Sequence, residues 1–188
     1  VDDSLERAHE TIHEAHHSNA DPWARGVAVM VSVLAAALAL AEMGEKASQN
    51  AYLTHHIALS DDWAFYQAKN QRSVIKETEV AVLQSLPPDP AIADRIKAAE
   101  AYAARMRDDP KGGEGMKQLA AKAREQQEAR DEAFHQYHNF EYTVGALEIA
   151  IVLSSVSVVT RIRPLTFGAG AVGAVAIAFG LAVAAHLF

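Results

Sequence analysis

The chain has 188 residues, half of them apolar, with a formal net charge of −7 and no cysteine. Without cysteine there are no disulfides, no thiolate chemistry and no cysteine-ligated zinc. The acidic balance, with no Lys/Arg patch interleaved with aromatics, argues against nucleic acid as a partner. Mean hydropathy is close to zero, but residues 44–143 hold most of the charge and the flanks are almost purely apolar. A bilayer demands this segregation, because a charged side chain at its centre costs about 2.5–3.5 kcal/mol or more.

Residues 1–22 form an acidic, histidine-rich amphipathic segment with six acidic residues and one arginine. Asp3-x-x-Glu6 is a capping-box pattern. Glu6-x-x-His9, Glu10-x-x-His13 and Glu14-x-x-His17 then set His9, His13 and His17 four apart. On a helix these share a face and could hold a divalent metal, with His16 nearby. A solvated helix of Glu–His pairs is the simpler reading, because no closed ligand set is evident. No cofactor is expected.

The first apolar run is 23–43, with Arg25 at its start and Glu42 near its end. About 20 helical residues cross a hydrocarbon core of roughly 30 Å, and Trp23 stands where an interfacial aromatic belongs. Ala39-Leu40-Ala41 also resembles a signal-peptidase site, but a signal peptide begins with basic rather than acidic residues.

Residues 44–141 are read as a helical extramembrane stalk. From 44 to 86 there is no proline and, after Gly44, no glycine, so one helix is expected to run on from the first span. Pro87-Pro88 stops it, and Asp89-Pro90 restarts the chain as N-cap and first helical residue. Ile92, Ile96, Ala99, Ala103 and Met106 form an apolar stripe, and Asp108 to Gly113 is a turn cluster. From Met116 through Leu119, Ala123, Gln126, Arg130, Ala133, Tyr137, Phe140, Val144, Leu147 and Ile151 the steps alternate three and four. That is a heptad seam on a helix of about 70 Å from Glu114 to Thr160. It suits an intermolecular coiled-coil arm or packing within the chain.

The second and third apolar runs are 142–160, broken by Glu148, and 165–188, uncharged before His186. Arg161-Ile162-Arg163-Pro164 joins them in a tight hairpin. The fold class is therefore all-α and integral to the membrane, with three transmembrane helices and a long hairpin or coiled-coil extramembrane domain. Arg7, Arg25, Arg161 and Arg163 share one side, which the positive-inside rule makes cytoplasmic, with the central domain periplasmic.

Glu148, Glu42 and His186 are the intramembrane polar candidates, since an ionisable group within a span is functional by default. A hydrogen-bonded neutral or snorkelling Glu148 is the bland alternative. Trp63, Tyr66 and Lys69 are a candidate interaction surface on the long helix, or they fill its packing interior. Gly170, Ala174, Ala178 and Ala182, every four residues, are expected at a helix-packing face. Glu132-x-x-His135 has the form of a di-iron ligand pair, but Glu10 and His13 fall on the other side of the membrane. His55, His56, His135 and His138 are weaker metal candidates above the bilayer.

Three passages carry a resemblance: Trp23-Ala24-Arg25-Gly26-Val27-Ala28 leading to Val33-Leu34-Ala35-Ala36; Ser60-Asp61-Asp62-Trp63-Ala64-Phe65-Tyr66-Gln67-Ala68-Lys69; and Ala146-Leu147-Glu148-Ile149-Ala150-Ile151-Val152-Leu153. In order and spacing the chain resembles the domain of unknown function 4337 family of uncharacterised bacterial membrane proteins. Asp61-Asp62-Trp63 stands where the family pattern has Asp-Gln-Trp, a small departure. The resemblance implies the same anchored helical layout in a bacterial inner membrane and brings no catalytic residues.

No Gly-rich phosphate loop, nucleophile elbow or complete metal motif is present, so an enzyme is the least expected class. The expected function is a non-enzymatic membrane-anchored scaffold, a homo-oligomer whose stalk contacts a protein partner. The alternatives are an accessory subunit of a larger energy-transducing complex and a proton or metal pathway centred on Glu148.

Overall fold

The computed structural model describes residues 22–185 together with Glu6 and Glu10. The proposed His9, His13 and His17 stripe and His186 lie outside the described residues. Four helices account for nearly all the rest: α1 (Pro22–Gln84), α2 (Pro90–Arg107), α3 (Met116–Thr160) and α4 (Arg163–Ala184).

The boundaries follow from local chemistry. Proline is tolerated in the first turn, where its missing N–H has no partner to lose, and α1 has none between Pro22 and its end. Asp89 is extended, and its carboxylate accepts the Ala91 N–H at 2.7 Å while Pro90 opens α2. Arg105 and Arg107 occupy the last turn of α2, where cations complement the exposed carbonyls. Helix α3 begins at Met116, two residues later than expected. The preceding turn is closed by Asp109 accepting the Gly112 N–H at 3.0 Å and by Gln118 accepting the Asp109 N–H at 3.2 Å. Gly113 takes φ +70° there. The hairpin between α3 and α4 is shorter than expected, since Pro164 lies inside the first turn of α4. Arg161 makes the reversal with φ +56°, a left-handed conformation rare for a side chain with a Cβ.

The chain divides into two compact units. Unit 1 takes the chain up to Asn50 and from Ala133 onward, and unit 2 is Ala51–Glu132. The first and last turns of the expected 44–141 segment thus pack with the apolar helices.

In unit 1, Val27, Val31, Leu34, Leu38 and Ala41 of α1 alternate steps of four and three. They bury against Leu147, Ala150 and Ile151 of α3 and Ala176 of α4. Small residues bring α4 close: Ala169, Gly173 and Ala176 are buried. The Leu34 side chain fills the space a Gly173 Cβ would need, and a Cβ on Gly180 would lie 2.8 Å from Thr143 Cγ2. Gly170 packs near Met30 Sδ, but Ala174 and Ala178 are exposed, and the face used within the chain is Ala169, Gly173, Ala176, Gly180 and Val183. Buried hydroxyls are satisfied locally. Ser154 donates to the Ala150 carbonyl at 2.7 Å, and Ser157 donates to the Ser154 carbonyl and meets Thr166 Oγ1 at 2.9 Å.

Among the described residues, three helices, α1, α3 and α4, are long and apolar enough to cross a membrane. At most 33% of each apolar window is buried inside the chain, so most of that surface faces outward.

In unit 2, the α2 stripe faces inward as expected: Ala99, Ala103 and Met106 are buried, with Leu59 and Leu83 of α1 and Leu119 and Ala123 of α3. Alanine at 99, 103 and 123 permits close helix approach. Charged pairs edge this core: Lys69–Glu114 at 3.6 Å, Lys76–Glu79 at 2.7 Å, Arg95–Glu79 at 3.4 Å and Arg107–Glu77. Gln126, polar on the heptad seam, meets His55 Nδ1 at 2.8 Å. The seam residues are buried or half-buried in the chain itself, so intramolecular packing uses that stripe.

Candidate functional site

The most unusual polar group lies in unit 1, where α1 leaves its apolar run. Heptad spacing carries the interior face of α1 from Leu38 onto Ala41 and Glu42, so Glu42 inherits a core position. It is 8% exposed, and its Oε1 is buried without a hydrogen-bond partner. Such an atom forfeits its hydration with nothing in return, a cost of about 1–3 kcal/mol even for a neutral group. Gly44 lets the Phe140 ring approach, since a Cβ there would stand 2.7 Å from Phe140 Cε1. This contact clamps α1 to α3 at the residue next to Glu141.

Glu45, half-buried on the next turn, senses the surrounding carboxylates. Burial holds its carboxyl above the usual range, and the charges of Glu141, Glu42 and Glu148 push the same way while Lys46 opposes them. Nearby, Glu141 raises the Tyr137 phenol and accepts from His138 Nδ1 at 2.8 Å. Glu148 sits half-buried on α3 and belongs to this acidic group through Glu45. Sequence reasoning singled out Glu148 and Glu42 but missed Glu45 and Glu141. The available signal was the i, i+3 and i, i+7 spacing of Glu42/Glu45 and Glu141/Glu148.

An apolar cavity of about 140 Å³ adjoins this end of unit 1. Leu40 and Ala41 of α1, Phe140 and Leu147 of α3, and Ile177 and Leu181 of α4 line it.

In unit 2, Trp63 packs edge-on against Tyr66 with ring centroids 5.3 Å apart. Tyr66 and Lys69 are half-buried, whereas Trp63 is exposed along with Ile57 and Phe65. Lys69 turns to Glu114. The trio is thus split between the packing edge and the outer surface.

Among the described residues, the other histidines are individually engaged. His56 stacks on Tyr52 at 5.7 Å and His135 lies edge-on to Phe134 at 6.4 Å. Among the described residues, no group of three or more His, Cys, Asp or Glu is placed to hold a metal ion.

No curated protein and no solved structure matches this chain. A family described as Domain of unknown function (DUF4337) matches residues 23–186, nearly the whole chain, spanning the apolar helices, the Trp63 passage and the Glu42–Glu148 region. The chain belongs to the DUF4337 family.

Proposed function

We propose that this protein is a non-enzymatic, membrane-anchored scaffold that self-assembles through its spans and offers its 44–141 segment to a protein partner. The observation that carries this reading is the outer face of α4. Ala171, Ala174 and Ala178 are exposed there, with Val175 70% and Leu181 67% exposed, on the side away from Ala169, Gly173 and Ala176. In lipid, a small-residue face gains dispersion contacts and close backbone approach from a second helix. One such face is already used inside the chain, and this second one is left for a neighbouring copy. The location we propose is the bacterial inner membrane. The basic residues Arg25, Arg161 and Arg163, read with the positive-inside rule, support a cytoplasmic N-terminus and a periplasmic central segment.

Native mass spectrometry of the particle released by mild detergent tests the proposal. The expected particle is a whole multiple of the 20.3 kDa chain, and Ala174→Ile with Ala178→Ile reduces it toward the single chain by widening the face. A single-chain particle from the unaltered protein overturns self-assembly. A particle containing other polypeptides makes this chain an accessory subunit of their complex.

A further inference from the structure

Helix α1 carries two apolar faces in unit 2, and the chain covers one of them. Leu59 and Ser73 are buried inside the unit. Ile57 and Ile75 each stand two residues from one of these, about 200° round the helix, and both are more than half exposed. With Leu53, Ala64 and Val82 they form an outward line. Leu53, Ala64 and Ile75 recur every eleven residues, and Ile57 and Val82 lie seven residues outside Ala64 and Ile75. Eleven residues make three turns, so the line keeps to one side of the helix. A helix in water ordinarily turns polar residues outward. Among the described residues of Ala51–Glu132, the exposed large apolar side chains belong to α1 and the turn after it, apart from Tyr102 of α2.

We propose that this line is the contact between two copies of the chain, whose α1 helices meet along it parallel and in register. The proposal rests on the membrane-anchored reading in one respect: copies held in one bilayer by their first spans enter the contact in the same direction and at high local concentration. From Leu53 to its end at Gln84, α1 is about 48 Å long. At a helix diameter of about 11 Å the two faces together cover on the order of 1,000 Å², the area at which a specific interface begins. The line carries no charge from Leu53 to Ile75, so a two-fold axis forces no like charges together. Glu79, the first charge on it, is held by Lys76 and Arg95. Gln71, seven residues beyond Ala64, has an amide that both donates and accepts, so two copies satisfy each other there and fix the register. A lipid surface fits less well. Helices that lie on membranes are rich in Lys and Arg, whereas 53–84 sets Lys69, Arg72 and Lys76 against Asp61, Asp62, Glu77 and Glu79.

The chain has no cysteine, so a single introduced one reports on its own neighbourhood. Ala64→Cys, Thr78→Cys and, on the exposed side of α3, Glu125→Cys are each made in the full chain and oxidised with copper phenanthroline in isolated membranes. The expected result is a reducible band at twice the 20.3 kDa chain for the first two and its loss for Glu125→Cys. Adding Ile57→Glu and Ile75→Glu sets like charges against each other across the axis and abolishes the band. Both positions are exposed, so the chain keeps its fold. No band at Ala64→Cys or Thr78→Cys, a band as strong at Glu125→Cys, or linkage only to another polypeptide overturns the proposal. The cysteine variants carry these outcomes without the glutamates, so misfolding of the latter leaves the test decisive. Whole-multiple particles in detergent without the α1 link overturn this contact and leave assembly through the spans standing. The link in membranes with single-chain particles in detergent supports this contact and overturns assembly through the spans.

Discussion

Replacing Gly173 by alanine is the sharpest test of how unit 1 is packed. The added methyl would occupy the space held by the Leu34 side chain, itself 3% exposed and enclosed by α3 and α4. Overpacking of this kind costs about 1–3 kcal/mol, because a buried leucine has no free rotamer to retreat into. Gly168 is the control: on the same helix, nothing lies within 4 Å of its would-be Cβ. In lipid the separated helices remain helical, so propensity largely cancels and Gly168→Ala should stay within about 0.5 kcal/mol of the parent. The assay is unfolding from mild micelles into a denaturing detergent, followed by Trp23 fluorescence. Trp23 packs against this core, and Trp63, the other tryptophan, is replaced by phenylalanine. Adding Leu34→Ala opens the space the new methyl needs, so the two substitutions should couple by about 1 kcal/mol or more, within the range for residues in contact. Equal stability of Gly173→Ala and Gly168→Ala, or additivity with Leu34→Ala, would refute the packing.

Stability should respond to pH with opposite signs at the two acidic sites. Glu45, raised by burial and by Glu141, Glu42 and Glu148, binds its proton more tightly when folded. Its contribution is present at acid pH and lost as pH rises above the usual 4.5, and Glu45→Gln flattens that loss in a thermal scan. Glu77, lowered first by the Ser73 hydroxyl and then by Arg107, contributes above 4.5 and loses this as pH falls, which Glu77→Gln abolishes. Asp89→Ala removes the cap of α2 and should cost about 1 kcal/mol, read as faster amide exchange at Ala91 and its neighbours. Arg161→Gly relieves the positive φ of the hairpin and should raise the unfolding midpoint by about 1 kcal/mol equivalent. A lowered midpoint would show that the arginine side chain is worth more than the strain.

The elements were legible because local physics decides them. A proline-free run from 23 to 86 has one cheap conformation, Asp89-Pro90 caps and opens a helix by itself, and apolar windows of span length are a matter of composition. The inward stripe of α2 was equally readable, since a 3.6-residue period leaves it one face to bury. The faces of the apolar helices were not. On α4 every face is small and apolar, so periodicity could not separate Ala169-Gly173-Ala176 from Gly170-Ala174-Ala178 until Leu34 was seen against Gly173. The heptad seam likewise permitted a partner outside the chain, and its burial within the chain came from helices distant in sequence.

The same division holds for the acidic group. By itself the sequence determined that Glu42 stands near the end of one apolar run and Glu148 within another, because charge is conspicuous where hydrocarbon is expected. Only the tertiary structure decided that Glu42 is buried with an unpartnered oxygen and that Glu45 feels Glu141 and Glu148. Those facts depend on which side of α1 meets α3, a rotation set by the Gly44–Phe140 contact and the interlocking of Leu34 with α4, and by no residue read alone.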